Sequence, residues 1–112
     1  GRVFPAGDRV LTGSADGSAI VWELRTCTDL RRFRHSGWVM DAAVLAGGTE
    51  VATISGHTHA LNLWSVLTGE HRELAGVAAH RVVPVPGGEL MAAWGFDGAV
   101  IADARSASVR YR

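Results

Sequence analysis

The sequence has no lysine and a single cysteine. Cys27 alone can form no intrachain disulfide and no cysteine-based metal site, and such sparing use suits a reducing compartment, so a cytoplasmic location is expected. No apolar run is long enough to make a membrane helix, and the first residues lack the basic-then-apolar order of a secretory signal. An excess of charge is missing too, since basic and acidic residues number 11 each. That removes the electrostatic case for nucleic acid, whose phosphates select basic faces, and for an anionic membrane surface. No stretch holds a helical apolar period over successive turns, so helices are not expected.

What is present is a repeat. At 47% hydrophobic and 20% charged the chain reads as soluble and globular. A unit of four short apolar stretches recurs three times. The first stretch holds Val3, then Val39 to Leu45, then Val82 to Val85, each running into a Gly-rich turn. The second begins at Val10, Val51 and Leu90, a step of about 40 residues each time. Tight turns follow at Ala15-Asp16-Gly17, Gly56 to His59 and Phe96-Asp97-Gly98. The third stretch covers Ala19 to Leu24, Ala60 to Val66 and Ala99 to Ala102, and the fourth Leu30 to Arg34, His71 to Ala75 and Val109 to Arg112. Residues alternate in twos within these stretches, with Leu61 and Leu63 on one side and Asn62 and Trp64 on the other. Four strands per unit of about 40 residues points to all-β repeats, built as propeller blades. The matching apolar positions Val39, Ala42 and Val44 include an odd step, which requires a β-bulge near Met40-Asp41 that turns one of those side chains outward.

The segment Thr12 to Leu24, "TGSADGSAIVWEL", resembles the signature of the WD-repeat family, with Trp22-Glu23 for its Trp-Asp pair. Leu61 to Gly69 is similar, with Trp64-Ser65. Phe96 to Ala104 is a third copy that has lost the Trp, leaving Ala102 or Asp103 in its place. The resemblance implies an all-β fold of about three blades, each of four antiparallel strands, spanning 1–112 as approximate blades 1–35, 36–76 and 77–112. It also implies a buried network of His, Ser or Thr, Asp and Trp in each blade. By position the first blade offers Ser14, Asp16 and Trp22. The second offers His35, Thr53 or Ser55, and Trp64, with Thr58 where the Asp belongs. The third keeps Asp97 alone. Incomplete networks of this kind are expected to leave the blades less rigid.

A closed ring usually needs at least four blades. The chain is therefore expected to be an incomplete propeller, a segment of a longer one or a copy that self-associates to close a ring. The function expected of it is a non-catalytic scaffold for other proteins or peptides. Trp38, Asp41, His57, His59 and Phe96 are its candidate contacts, since Trp is the residue most enriched at interface hot spots. Trp94 is expected in the core. His57-Thr58-His59 supplies two ligands, which do not make a metal site. Ser14, Asp16 and His35 form no hydrolase triad, because no strand–Gly-x-Ser-x-Gly–helix elbow exists. None of the 14 glycines forms a phosphate cradle leading into a helix. No cofactor, metal or catalytic residue is expected. The alternative is a propeller enzyme with its site in the central channel, where the innermost stretches offer Asp41, His80 and Arg81. Arg31-Arg32-Phe33-Arg34 reads as a charged edge that discourages strand aggregation.

Overall fold

The computed structural model describes residues 2–4, 6–35, 37–85, 90–95, 98–104 and 108–111. They form strands β1 (Arg2–Val3), β2 (Arg9–Gly13), β3 (Ser18–Glu23), β4 (Thr28–Arg34), β5 (Val39–Leu45), β6 (Glu50–Ser55), β7 (Ala60–Ser65), β8 (His71–Ala78), β9 (Arg81–Pro84), β10 (Leu90–Gly95), β11 (Gly98–Asp103) and β12 (Ser108–Tyr111). Chain order is also spatial order: β1 to β4, β5 to β8 and β9 to β12 each make one sheet. Every pairing is antiparallel. Short hairpins allow nothing else, since a parallel neighbour would need a long crossover. No helix among the described residues is long and apolar enough to cross a membrane.

Register explains how the sequence copies correspond. Val10 faces Trp22 and Val51 faces Trp64, while Leu90 faces Asp103. Asp103, not Ala102, therefore stands in the Trp position of the third sheet. The same alignment puts Ala92 where the first two sheets have Thr12 and Thr53. The pairing of β5 with β6 slips between Val39 and Asp41, which is the bulge that the odd apolar step requires. A larger irregularity lies between Ala60 and Leu61, whose partners are Ala78 and Leu74. It carries β8 on to Ala78, past the stretch expected to end at Ala75.

Alternation sorts the side chains into two cores, one at each junction between sheets. Leu11, Ala19, Val21 and Phe33 from the first sheet meet Ala42, Val44, Val51 and Val66 from the second. Ala52, Ile54, Leu61, Leu63 and Leu74 point the other way, onto Val82, Met91, Ala93 and Ala102 of the third. The middle sheet is thus apolar on both faces. Its Asn62 and Trp64 look toward the first sheet and its leucines toward the third.

Candidate functional site

Antiparallel hairpins put the β4–β5 link, the β2–β3, β6–β7 and β8–β9 turns and the paired strand ends Gly95 and Gly98 of β10 and β11 at one end of the three sheets. Backbone bonds lace this end together. Val39 N–H donates to Ser14 O (3.1 Å), Gly56 N–H to Trp38 O (2.7 Å), Ala79 N–H to His59 O (2.9 Å) and His80 N–H to Trp94 O (2.8 Å). The expected contact residues Trp38, His57 and His59 all fall on this rim. Phe96 and Asp97 lie outside the described residues.

Trp38 is 46% exposed. Its indole lies across Gly56, where a Cβ would collide with Cε2, so glycine is what lets the ring lie flat there. Trp94, at the rim end of β10, is 43% exposed. This corrects its expected place in the core: Ala93 is the residue of that strand end that alternation turns inward. His57 is exposed, and its Cβ lies near Gly37 on the side of the first sheet. His59 adopts φ +60° and packs edge-on against His80 of the third sheet, with ring centroids 4.8 Å apart. The two histidines of His57-Thr58-His59 therefore diverge. Among the described residues no three His, Cys, Asp or Glu side chains gather closely enough to hold a metal ion.

Asp41 does not reach outward. Its carboxylate accepts from Arg2 Nη2 at 3.2 Å and from Val82 N–H at 2.9 Å, and only 13% of the side chain is exposed. Arg2 also donates from Nε to Ala42 O. One carboxylate thus ties the innermost strands of all three sheets, the bulge having aimed it along the inner edge.

The bracing groups differ in part from those the resemblance implies. Trp22 Nε1–H donates to Thr12 Oγ1 at 2.9 Å, so Ser14 is not its partner. Thr12 lies within β2, on the face of the indole, whereas Ser14 lies past the strand end and turns its Oγ to the N–H of Asp16. Asp16 serves the same turn, accepting from Ser18 N–H at 2.9 Å. That backbone bond and the Ser14 hydroxyl hold its carboxyl below the ordinary 3.8. Asp16 therefore builds a turn and takes no part in a Trp network.

In the second sheet three of the four implied partners meet. Trp64 Nε1–H donates to Thr53 Oγ1 (2.9 Å), and Thr53 lies 2.6 Å from His35 Nε2. His35 Nδ1 is 3.0 Å from Gly17 O. A carbonyl only accepts, so Nδ1 carries the proton, Nε2 accepts, and Thr53 donates to it. The direction of the whole chain is set: Trp64 to Thr53 to His35, and His35 to Gly17. Gly17 sits at φ +93°, and a Cβ there would come within 2.6 Å of Gly37 O. Burial pushes His35 below its ordinary 6.5, against the opposing bond to Gly17 O.

Sequence reasoning gave His71 and Arg72 no role, and its charged-edge reading of Arg31-Arg32-Phe33-Arg34 is corrected at Arg31 and Phe33, which alternation turns onto the second sheet. Phe33 stacks on Trp64 with centroids 4.9 Å apart, and His71 stacks on it at 4.2 Å. His71 Nε2–H is held by Asn62 Oδ1 at 2.7 Å. Arg31 donates from β4 to the carbonyls of Val66 and Leu67, in the β7–β8 turn of the second sheet. Arg72 donates from β8 to Ala104 O, in the corresponding turn of the third. These two arginines are spaced along the chain just as Thr12 and Thr53 are, and that shared spacing was the available signal.

No protein-family model and no curated protein matches the sequence. Among solved structures the chain is similar to the β-propeller domain of Cps50 (Swd1) from Myceliophteria thermophila, with a TM-score of 0.73 at 20% sequence identity. The three sheets are β-propeller blades. The match covers 92% of this chain and 33% of that one, so the chain spans about a third of its length. At that identity the likeness speaks for the fold alone.

Proposed function

We propose that the chain is a run of three WD-type blades, spanning 1–112 as one propeller segment, that holds other proteins or peptides and catalyses no reaction. The observation that carries this reading is the pair of half-exposed indoles, Trp38 and Trp94, on one rim beside exposed His57. Trp side chains add large contact area at little entropic cost, and they dominate interface energetics. Of the inner-strand groups an enzyme would have used, Asp41 is engaged by Arg2 and Val82 and His80 packs on His59. The repeat signatures at Trp22 and Trp64, with Thr12 and Thr53 bonded alike, support the WD assignment. The outer faces of the end blades take further blades, in the same chain or in another copy, and the location is cytoplasmic.

A photo-crosslinking amino acid at Trp38 tests the rim. Leu67, 75% exposed in a turn at the opposite end of the sheets, is the control position. Crosslinks to a discrete set of proteins from position 38 and none from position 67 are expected. Equal labelling from the two ends would reject the rim as a docking surface.

A further inference from the structure

The three blades repeat one unit, so a residue that departs from its counterparts in the other two marks something the blade itself does not require. Ile20 pairs with Thr12, Ile101 with Ala92 and Asn62 with Thr53, at the same place in each sheet. Two blades thus put isoleucine where the second puts an amide, and Asn62 is only 5% exposed. Burying an amide in place of a hydrocarbon is unfavourable unless its hydrogen bonds are met. Glu73 faces Asn62 across the sheet, where Arg32 faces Ile20 in the first blade. Asn62 and Glu73 line a cavity of about 190 Å³ between the second blade and the end of β4, together with Arg34, Thr58, Trp64 and His71. At ~30 Å³ for each water, that is room for roughly six.

Asn62 uses only part of its hydrogen-bonding capacity within the blade. Nδ2–H donates to Ala60 O at 3.2 Å, and Oδ1 accepts from His71 Nε2 at 2.7 Å. One N–H and one lone pair of the amide remain. The Ala60 carbonyl only accepts, which fixes the nitrogen end of the amide. His71 Nε2 therefore carries its proton, and Nδ1 of the neutral ring is an acceptor. Arg34 and Glu73 approach the cavity from different blades, β4 of the first and β8 of the second. Both are exposed, and among the described residues neither makes a hydrogen bond or an ion pair. The charge of Arg34 also bears on Asp16 of its own blade. The cavity thus has a cation on one side, an anion and a ring acceptor on the other, and a buried amide with a donor and an acceptor still open.

We infer that this cavity binds a small zwitterionic α-amino acid, with its carboxylate on Arg34 and the open N–H of Asn62 and its ammonium on Glu73 and the Asn62 carbonyl. A zwitterion answers both charges, whereas a simple anion or cation meets only one and faces a like charge from the other. The space of about six waters suits an amino acid as small as alanine. This adds a small-molecule site between two blades to the docking role of the rim, and it stands whether or not the rim holds a partner.

NMR of the full chain at neutral pH tests this, read at the indole N–H of Trp64, which lines the cavity. L-alanine, acetate and methylammonium are titrated separately. A saturable shift is expected with alanine, with binding at least about fivefold weaker for either single ion. Asn62→Ile installs the residue of the other two blades, and it should keep the thermal midpoint and abolish the alanine shift. Glu73→Gln, on an exposed side chain, should leave the fold unchanged and weaken alanine binding by about fivefold or more. No saturable shift with alanine, equal binding of acetate alone, or full affinity in Glu73→Gln overturns the inference. An Asn62→Ile chain that fails to fold assigns the amide to the structure of the blade and overturns it as well.

Discussion

The two blade junctions of this chain share a backbone register and almost no chemistry. Between the first and second blades, Trp64 stacks with both Phe33 and His71 and is hydrogen-bonded through Thr53 to His35. Between the second and third, leucines, alanines and Met91 pack, and among the described residues that buried cluster holds no aromatic ring. Asp103 and Ala92 stand where the Trp and Thr of the other blades stand. What the junctions keep in common is an arginine from the preceding outer strand on the next blade's turn, and Asp41 linking all three inner strands. A blade interface thus needs apolar volume and a few backbone ties. The aromatic network, seen among the described residues at the first junction, is an addition that gives that junction direction and uniqueness.

Breaking the aromatic junction at its centre has the largest effect. Trp64→Ala should cost about 3 kcal/mol by urea unfolding, the lower end of the range for a buried Trp because Trp64 is only partly buried. Met91→Ala should cost a comparable ~3 kcal/mol through cavity formation alone, since Met91 is fully buried and makes no polar bond there. The two differ in what rescues them. Trp64→Phe should restore most of the stacking loss but not the bond to Thr53, leaving a deficit of about 1 kcal/mol.

Next in size is Thr53→Val, which keeps the shape and strands both the Trp64 N–H and His35 Nε2. A loss of about 1–3 kcal/mol is expected, with coupling to Trp64→Phe in a double-mutant cycle. Asp41→Asn should cost about 1 kcal/mol, because the Arg2 pair is half exposed while the Val82 bond can be kept.

The smallest effect is pH-dependent and sharpens the comparison by confining it to one junction. His35 is held below 6.5 in the folded chain, so the unfolded chain takes up its proton first. The stability it contributes is present above pH 6.5 and is lost as pH falls through that value toward the folded pKa. Asp16, also depressed, contributes only above pH 3.8 and loses that contribution below it. Urea midpoints should drop more for the native chain than for His35→Gln when pH is lowered from above His35's ordinary value to below it.

The strands, the three-fold repeat and the bulge at Met40 were legible in the sequence because alternation and turn residues are local signals. The bracing was legible only in outline. Trp22 has hydroxyls at Thr12 and Ser14 within reach on paper, and only the pairing of Val10 with Trp22 decides between them. Asp41 looked like a free rim carboxylate because its partners, Arg2 and Val82, lie in the neighbouring blades, a whole repeat away along the chain in either direction. Trp94 looked like core because its hydrophobicity says nothing about which face of β10 it occupies. His59 and His80 are separated along the chain by both β7 and β8, and they meet only through blade packing.

Native-state hydrogen exchange on the full chain and on Thr53→Val tests the contrast between junctions most directly. The amides of β4 and β7 should lose protection in the variant, while those of β10 and β11 keep theirs. A loss spread evenly over all three sheets would contradict the account, because the network would then brace the whole stack and not one junction.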